Sequence, residues 1–282
     1  MTHVPLAYVD GAFVPASEAS VPVNDLGLQR GYGIFDYLRV AGRVPLFLGD
    51  HIDRFLRSAD RMRLQPPCGK DGLVDIIHRI IDAEDLPVSG IRILLTGGPS
   101  DDGYTVSSPR LAVVRQPLAP LPDTLPASGL RLCSYDYRRQ LSSVKTTDYL
   151  MAIWLQPWLK EGGGDDILYH DAGSLRECPR ANIFLVDREG VLVTPKDGML
   201  TGITRRHVLD VAARHDIRVE VRDVSLAELS TVQEAFITSS TKRLMPVCRI
   251  DGMPLDPPGP VTKKLWDAFL AHERAYLQSH AR

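Results

Sequence analysis

The sequence is poor in features that mark several classes of protein. Its four cysteines are far apart in 282 residues and form no CxxC pair, which favours free thiols in a reducing cytoplasm. The eight histidines show no HExxH spacing, so we expect no metal centre. The net charge is −2, which provides no basic field for nucleic acid or anionic lipid. Composition therefore favours an ordinary globular protein without nucleic acid, membrane or metal as a partner.

Long hydrophobic runs, internal repeats and a signal-peptide pattern are also missing. The longest apolar runs are far short of the roughly 20 residues that span a bilayer. The first residues, MTHVPLAYVDG, lack a basic stretch followed by an apolar one. These absences predict a cytoplasmic protein. A chain of this length can form one large domain or two moderate ones.

A proline-rich segment divides the chain. The stretch PLAPLPDTLPAS (117–128) contains four prolines, which lack an amide donor and restrict the preceding residue. We therefore predict an N-terminal α+β domain at 1–118, a linker at 119–128 and a C-terminal domain at 129–282. Hairpins outnumber βαβ units in both halves, which favours the α+β class.

Local patterns predict individual elements. Asp10-Gly11 and Ala41-Gly42 are predicted hairpin turns, and Asp50 is the predicted N-cap of a helix. A further hairpin is predicted in NIFLVDREGVLVTP. Other predicted helices cover 71–83, 145–160, 203–215 and about 260–279, and strands cover 91–98, 110–116, 130–135, 217–223 and 234–239.

Lysine is scarce, with seven lysines against 26 arginines. Lys145 lies in SSVKTTDYLMAIW (142–154), after a hydroxyl-rich turn, and is predicted to open an apolar helix. A solvated lysine does not need that position. A lysine that must be partly buried and able to lose its proton does, which indicates a reactive amine.

Three features could hold a phosphate group. Gly202 precedes a helix that is predicted to start near Ile203, and exposed amides at a helix start attract anions. Four hydroxyls, in 238–241, follow a predicted strand, and Arg54 could supply a guanidinium fork. The alternatives are a simple glycine turn, a solvated strand end and a surface arginine.

Glu177 is either a surface charge or a partner for a heterocycle nitrogen.

The order of these features resembles the class IV (fold-type IV) aminotransferases, which use pyridoxal 5′-phosphate. The resemblance covers nearly the whole chain, and its more specific pieces are LTGITR and E-x-x-x-x-N-I-F. It implies a two-domain fold, with a smaller N-terminal α/β domain and a larger C-terminal cofactor-binding domain of barrel-like β-structure. It also implies a homodimer with each active site at the subunit interface.

The resemblance implies a role for each candidate residue. Lys145 matches the lysine that forms a Schiff base with the cofactor and then moves the substrate proton. Glu177 matches the partner of the pyridine nitrogen. Tyr149 resembles a tyrosine near the phenolic oxygen of the cofactor, although a packing role stays open. The implied ligands of the phosphate are Arg54, Ile203, Thr204, Ser240 and Thr241.

The implied substrate site departs from the best-known D-amino acid transaminases. Those enzymes bind the substrate carboxylate with a tyrosine and with an Arg-x-His loop from the partner subunit. Here Phe35 stands at the tyrosine position, and the loop TGGPSDDGY (96–104) has no basic residue. A buried carboxylate needs a cation, and Arg30, Arg92 and Lys242 are the candidates. In this respect the chain resembles an atypical subgroup of D-amino acid transaminases; the alternative for each of the three residues is a surface charge.

The resulting prediction is a transaminase that acts on D-amino acids of the D-glutamate or D-alanine type and on a 2-oxo acid such as 2-oxoglutarate. The alternatives are a branched-chain L-amino acid aminotransferase and aminodeoxychorismate lyase. A non-catalytic cofactor-binding protein is a further alternative, which the presence of both Lys145 and Glu177 disfavours.

Overall fold

A computed structural model describes residues 5–255 and 258–281 and divides the chain into two compact units. The first unit runs to Pro120 and also includes Val144–Asp148 and the segment from Tyr276 onward. The second comprises Leu121–Ser143 and Tyr149–Ala275. The predicted C-terminal domain, 129–282, includes both of these short segments. The predicted domain boundaries stay predictions. The proline-rich stretch contains neither helix nor strand from 118 to 129, all of which is described.

The first unit contains a six-stranded antiparallel sheet. Its strands are β1 (Leu6–Val9), β2 (Ala12–Pro15), β3 (Gly33–Ala41), β4 (Val44–Pro45), β5 (Val88–Thr96) and β6 (Arg110–Pro117). Their order across the sheet is β2-β1-β6-β5-β3-β4. The helices are α1 (Leu26–Arg30), α2 (Leu48–Arg61) and α3 (Lys70–Asp82), of which α2 packs on β3 and α3 on β6.

Alternation along β3 separates the two faces of this sheet. Ile34 and Leu38 are fully buried on the face that α2 covers, where they join Ile52 and Phe55 in one core. Successive side chains of a strand point to opposite faces, so Phe35 and its odd-numbered neighbours lie on the other face.

Turn chemistry explains how the first unit begins. Asp10 and Gly11 have φ of 45° and 92°, the left-handed values that a tight hairpin requires, which confirms the predicted turn. The prediction that Asp50 is the N-cap of α2 was wrong, because the helix begins at Leu48. The backbone amides of Asp50 and His51 both donate to the carbonyl of Phe47, so the first turn is already wound there.

The second unit is built on a ten-stranded, curled half-barrel sheet. Its strands are β7 (Leu130–Asp136), β8 (Asp166–Asp171), β9 (Ser174–Leu175), β10 (Glu177–Cys178), β11 (Ala181–Val186), β12 (Leu192–Pro195), β13 (Val219–Arg222), β14 (Glu234–Ser239), β15 (Arg243–Ile250) and β16 (Met253–Pro254). The main path is β13-β12-β11-β14-β15-β7-β8-β9, with β10 on β11 and β16 on β15.

Helices and a short 3₁₀ turn accompany this sheet. They are α4 (Leu150–Trp154), α5 (Gln156–Glu161), α6 (Ile203–Arg214), a 3₁₀ helix (Leu226–Thr231) and α7 (Pro260–Ser279). The predicted helices at 203–215 and 260–279 are confirmed. The strands β11 and β12 confirm the hairpin predicted in NIFLVDREGVLVTP. Within the described part of the chain, no helix is both long and apolar enough to span a membrane.

Candidate active site

Lys145 lies on an extended segment that pairs with β3, and not at the head of a helix. The amide of Phe35 donates to the carbonyl of Lys145 (2.9 Å), and the amide of Thr147 donates to that of Gly33 (3.0 Å). The predicted helix at 145–160 was therefore wrong in its first turn, and α4 begins only at Leu150. Backbone groups that bond to a neighbouring strand cannot also form helical bonds, so a distant segment overrides the local pattern.

The side chain of Lys145 is half-buried beside an aromatic ring. Its Nζ lies 4.6 Å from the centroid of the Phe35 ring. The guanidinium of Arg92, which lies opposite Tyr37 in the β3–β5 ladder, is 5.0 Å from the Phe35 centroid and 5.4 Å from that of Tyr37. Cations within about 6 Å of a ring face are attracted to it. One face of the first sheet thus holds an amine and a guanidinium around the same ring.

The opposite face of β3 carries a buried charged cluster of Asp36, His51 and Arg54. Arg54 donates from Nε to Oδ2 of Asp36 and from Nη2 to Oδ1, both at 2.8 Å. His51 Nδ1 lies 2.7 Å from Oδ1 of the same carboxylate, so Nδ1 carries the proton. Asp36 is fully buried and thereby fixes the plane of the arginine fork.

Burial and charge set the protonation of this cluster. Burial alone would raise the pKa of Asp36, but the adjacent Arg54 and His51 hold that pKa well below its usual value. Burial lowers the pKa of His51; Asp36 opposes this, while Arg54 and Lys145 lower the pKa further. The cluster is therefore an anionic carboxylate, a neutral imidazole and a cationic guanidinium. A guanidinium in a fixed plane is a suitable ligand for a phosphate.

Arg30 and the loop 96–105 form a separate group in the first unit. Arg30 is exposed at the end of α1, and its Nε donates to the carbonyl of Gly103 (3.2 Å). Asp102 accepts four hydrogen bonds from its own loop, donated by the hydroxyls of Ser100 and Thr105 and by the amides of Tyr104 and Thr105. These bonds lower the pKa of Asp102. The loop thus uses this acidic residue to hold its own shape.

In the second unit, Glu177 is a buried carboxylate with fixed partners. Its Oε1 accepts from Nε of Arg139 at 2.9 Å and from Nη2 at 2.8 Å, and its Oε2 accepts from the amide of Leu200 at 3.1 Å. Arg139 also donates to the carbonyl of Ser142. Arg139 was not among the predicted site residues, and it lies 38 residues from its partner. Only a folded pairing of this kind could identify it, because the Arg138-Arg139 pair reads as surface charge.

The start of α6 is equipped to bind an anion. Its N-cap is Gly202, no side chain of the described residues caps it, and Ile203 and Thr204 are buried there. The hydroxyl of Thr238, on the neighbouring β14, is buried and has no hydrogen-bond partner among the described residues. Unsatisfied amides and an unsatisfied buried hydroxyl are costly unless a ligand binds them, so these residues fit a phosphate group.

The hydroxyl run after β14 lies at a turn. Ser240 is half-buried and Thr241 is exposed, with Oγ1 of Thr241 3.4 Å from Oγ of Ser239. Lys242 follows, and its Nζ lies 3.8 Å from a carboxylate oxygen of Asp166. Burial raises the pKa of Asp166, and Lys242 opposes this effect. The positive charge of Lys242 is therefore partly balanced.

Tyr149, the remaining candidate residue, is half-buried just before α4, and its carbonyl accepts a hydrogen bond from the amide of Ile153. Among the described residues, no group of three or more His, Cys, Asp or Glu side chains could hold a metal ion. In the first unit the amine of Lys145 and the guanidinium of Arg54, and in the second unit the carboxylate of Glu177 and the start of α6, are each groups that an aldehyde-bearing phosphorylated heterocycle can bind.

Comparison with known proteins assigns the family. A protein of Methanocaldococcus jannaschii named "Putative branched-chain-amino-acid aminotransferase" is 32% identical over 275 residues, 93% of this chain and 94% of that protein. A "D-alanine aminotransferase" of Staphylococcus aureus is 24% identical and covers 97% of this chain and 98% of its own. The crystal structure of a branched-chain aminotransferase from Thermoproteus uzoniensis with norvaline superposes with a TM-score of 0.88, at 28% identity and 98% coverage of both chains.

The family profile agrees with these likenesses. Residues 33–250 match the family described as amino-transferase class IV. Since this match and the M. jannaschii relative both span most of the sequence, the chain belongs to the class IV aminotransferases, which are enzymes that depend on pyridoxal phosphate.

Proposed function

We propose that this aminotransferase transfers an amino group between a D-amino acid, of the D-glutamate or D-alanine type, and a 2-oxo acid such as 2-oxoglutarate. The observation that supports an amino-acid substrate is the arrangement on the face of β3 that bears Phe35, whereas the choice of the D form rests on the resemblance of the loop 96–104 to the atypical D-amino acid transaminases. On that face of β3 an amine (Lys145) and a guanidinium (Arg92) approach the same ring of Phe35. A substrate anion bound by the guanidinium would be held on the same sheet face as the amine.

Each residue has a defined task in this proposal. Lys145 would hold the cofactor covalently, and its released amine would move the α-proton of the substrate. The cofactor, when bound, would supply the electron sink. Glu177 would bind the ring nitrogen and keep it protonated. Tyr149 would contact the phenolic oxygen. The phosphate ligands are Arg54, Ile203, Thr204, Ser240 and Thr241.

Substrate carboxylates are bound by cations in this proposal. Arg92 binds one carboxylate, and Arg30 and Lys242 are the further cations that would favour dicarboxylic partners. Asp166 weakens the attraction of Lys242 for a substrate carboxylate, because it balances part of the positive charge of Lys242. The folded loop 96–105 supports this assignment, since it contributes no cation of its own.

A half-reaction panel tests the choice of substrate. The loaded enzyme is mixed with one amino acid at a time, without a 2-oxo acid, and the absorption band of the bound cofactor is followed. D-glutamate and D-alanine should shift the band, and their L forms should not. A shift with L-leucine and none with any D-amino acid would overturn the D-specific proposal.

A branched-chain L-amino acid aminotransferase is the second candidate. It is favoured by the 32% identity to the M. jannaschii protein, which exceeds the identity to the D-alanine aminotransferases. The same panel separates the two, because L-leucine, L-valine and L-isoleucine would then be the active donors. Release of pyruvate from aminodeoxychorismate, without any 2-oxo acid, would instead indicate a lyase.

The role of Lys145 has its own test. Borohydride reduction of the loaded enzyme should add the mass of the cofactor to the peptide that contains Lys145. Lys145→Ala should lose both this label and all turnover while remaining folded. Lys160→Ala, at an exposed lysine of α5, should keep both. A label on another peptide would refute the assignment.

We also propose that the enzyme is a cytoplasmic homodimer. The four cysteines are free thiols, which suits a reducing compartment. Large apolar side chains are exposed together on α4 and α5, where Leu150 is 71% and Ile153 is 70% exposed. Exposed apolar groups of this size favour burial against a second copy.

A further inference from the structure

Asn182 is a buried residue of the E-x-x-x-x-N-I-F stretch, and the proposed function gives it no task. We propose that Asn182 is a positioning residue for Glu177, which it orients through the backbone of Leu200. This inference rests on the proposed pairing of Glu177 with the ring nitrogen of the cofactor.

The spacing of the motif follows from a tight hairpin. Strand β10 ends at Cys178 and β11 begins at Ala181, so two residues form the loop between them. Cys178 lies opposite Ala181, and Glu177 lies opposite Asn182. Directly opposed residues of an antiparallel pair point to the same face, with Cβ atoms about 5 Å apart. The five-residue interval therefore places the amide beside the carboxylate.

Leu200 links these two side chains because it is held at both of its backbone polar atoms. Asn182 donates from Nδ2 to the carbonyl of Leu200 at 2.8 Å. The amide of Leu200 donates to Oε2 of Glu177 at 3.1 Å. Only the φ and ψ torsions of Leu200 separate these two bonds, so the bond to its carbonyl restricts how far its amide can turn. Asn182 thus restricts where the Leu200 donor points.

The Leu200 amide adds a donor on the second carboxylate oxygen of Glu177. Arg139 donates to Oε1 from Nε, and its Nη2 lies 2.8 Å from the same oxygen. The Leu200 amide donates to Oε2, so contacts on both oxygens define the plane of the carboxylate. Loss of Asn182 would loosen the Leu200 backbone and, with it, the donor on Oε2.

A close approach at Gly202 shows how tightly Asn182 is enclosed. A Cβ at Gly202 would lie 2.1 Å from Oδ1 of Asn182, far inside any real contact. The φ of Gly202 is −67°, which any residue can adopt, so glycine is required here for space and not for torsion. The side chain of Asn182 is therefore confined between Leu200 and the start of α6.

The test compares two ligands that differ only at the ring nitrogen. The full-length enzyme, freed of cofactor, is titrated with pyridoxamine 5′-phosphate and with its 1-deaza analogue, in which CH replaces the nitrogen. The parent enzyme should prefer the nitrogen-bearing compound. Asn182→Ala should reduce this preference about tenfold, the expected scale for a weakened hydrogen bond to a charged group. Its affinity for the deaza analogue should change little.

Two controls make the result specific. Thr194→Val removes another buried hydrogen bond of this sheet, to the carbonyl of Ile183, and should leave the preference unchanged. In a Glu177→Gln background, adding Asn182→Ala should not alter the preference further, because the two changes act through one contact. If Asn182→Ala does not fold, as judged by thermal unfolding, Asn182→Ser replaces it.

Each other outcome has a clear meaning. An equal loss of affinity for both ligands in Asn182→Ala would overturn the inference, because it would indicate packing alone. A parent enzyme that binds both ligands equally would refute the pairing of Glu177 with the ring nitrogen, and the inference would fall with it. An intact preference in Asn182→Ala would refute the inference while leaving that pairing in place.

Discussion

At the scale of single residues, Asp36 shows how one buried carboxylate organises its neighbours. It lies on the helix-covered face of β3 and holds His51 and Arg54 of α2. Removal of one partner from a buried ion pair costs about 3–5 kcal/mol, because the other charge remains buried. Asp36 therefore holds the guanidinium of Arg54 in a defined plane.

His51 should make stability depend on pH. Its pKa is lower in the folded chain than the value of about 6.5 in an unfolded one, so the folded state binds the proton less readily. This contribution to stability is present above pH about 6.5 and is lost as the pH falls below it. Thermal unfolding between pH 7.5 and 5 should show a shallower decline in His51→Gln than in the parent. His280→Gln, at an exposed histidine, should follow the parent; equal slopes for all three would contradict the prediction.

Arg92 should contribute to the binding of amino donors. Arg92→Gln removes a charged hydrogen-bond donor, so the KM for the amino acid should rise roughly tenfold or more, with a smaller change in kcat. Steady-state kinetics with the donor from the half-reaction panel would measure it. Arg79→Gln is a matched control, since Arg79 also lies over a ring, that of Phe13. An unchanged KM in Arg92→Gln would remove this residue from the site.

Some residues of the candidate site could be predicted from the sequence, and others could not. Lys145 and Glu177 were identifiable as candidates, because scarcity and motif spacing single them out. Arg139 and Asp36 were not, because their significance comes from contacts with residues 15 to 38 positions away. Long-range partners leave no periodic signal in a single sequence.

At the scale of elements, local signals worked where an element is stabilised locally. The hairpin at Asp10-Gly11 and the helix at 260–279 follow from turn chemistry and apolar spacing. The helix predicted from Lys145 onward does not form in its first turn, because the backbone of this segment is hydrogen-bonded to β3. Helical spacing after Lys145 was real, but it belongs to α4 and α5 only.

The start of α7 depends on a capping contact that the sequence conceals. Glu234, at the start of β14, accepts hydrogen bonds from the amides of Val261 (3.1 Å) and Thr262 (2.8 Å). A carboxylate at a helix N-terminus satisfies open donors and suits the helix dipole. Glu234→Ala should therefore lower the free energy of unfolding by about 1–2 kcal/mol in urea titration. Glu220→Ala, at an exposed strand residue, should cost less than about 0.5 kcal/mol; equal costs would argue against the cap.

At the scale of the whole molecule, the proposed dimer can be tested through its exposed apolar side chains. Light scattering should give twice the chain mass of 31.2 kDa. The double change Ile153→Glu and Trp154→Glu, on α4, should shift the mass toward the monomer, because buried charges are costly at an interface. Val221→Glu, at an exposed site on β13, should leave the dimer intact. A dimeric double variant would exclude this surface as the interface.

The two-residue loop between Glu177 and Asn182 also constrains how this chain can evolve. Strand side chains alternate with a period of two, so a slip of β10 by one residue against β11 would turn one of the two to the other face of the sheet. Such a slip would separate the acid from its amide neighbour. Changes to this loop are therefore compatible with the pair only where the two strands keep their present register.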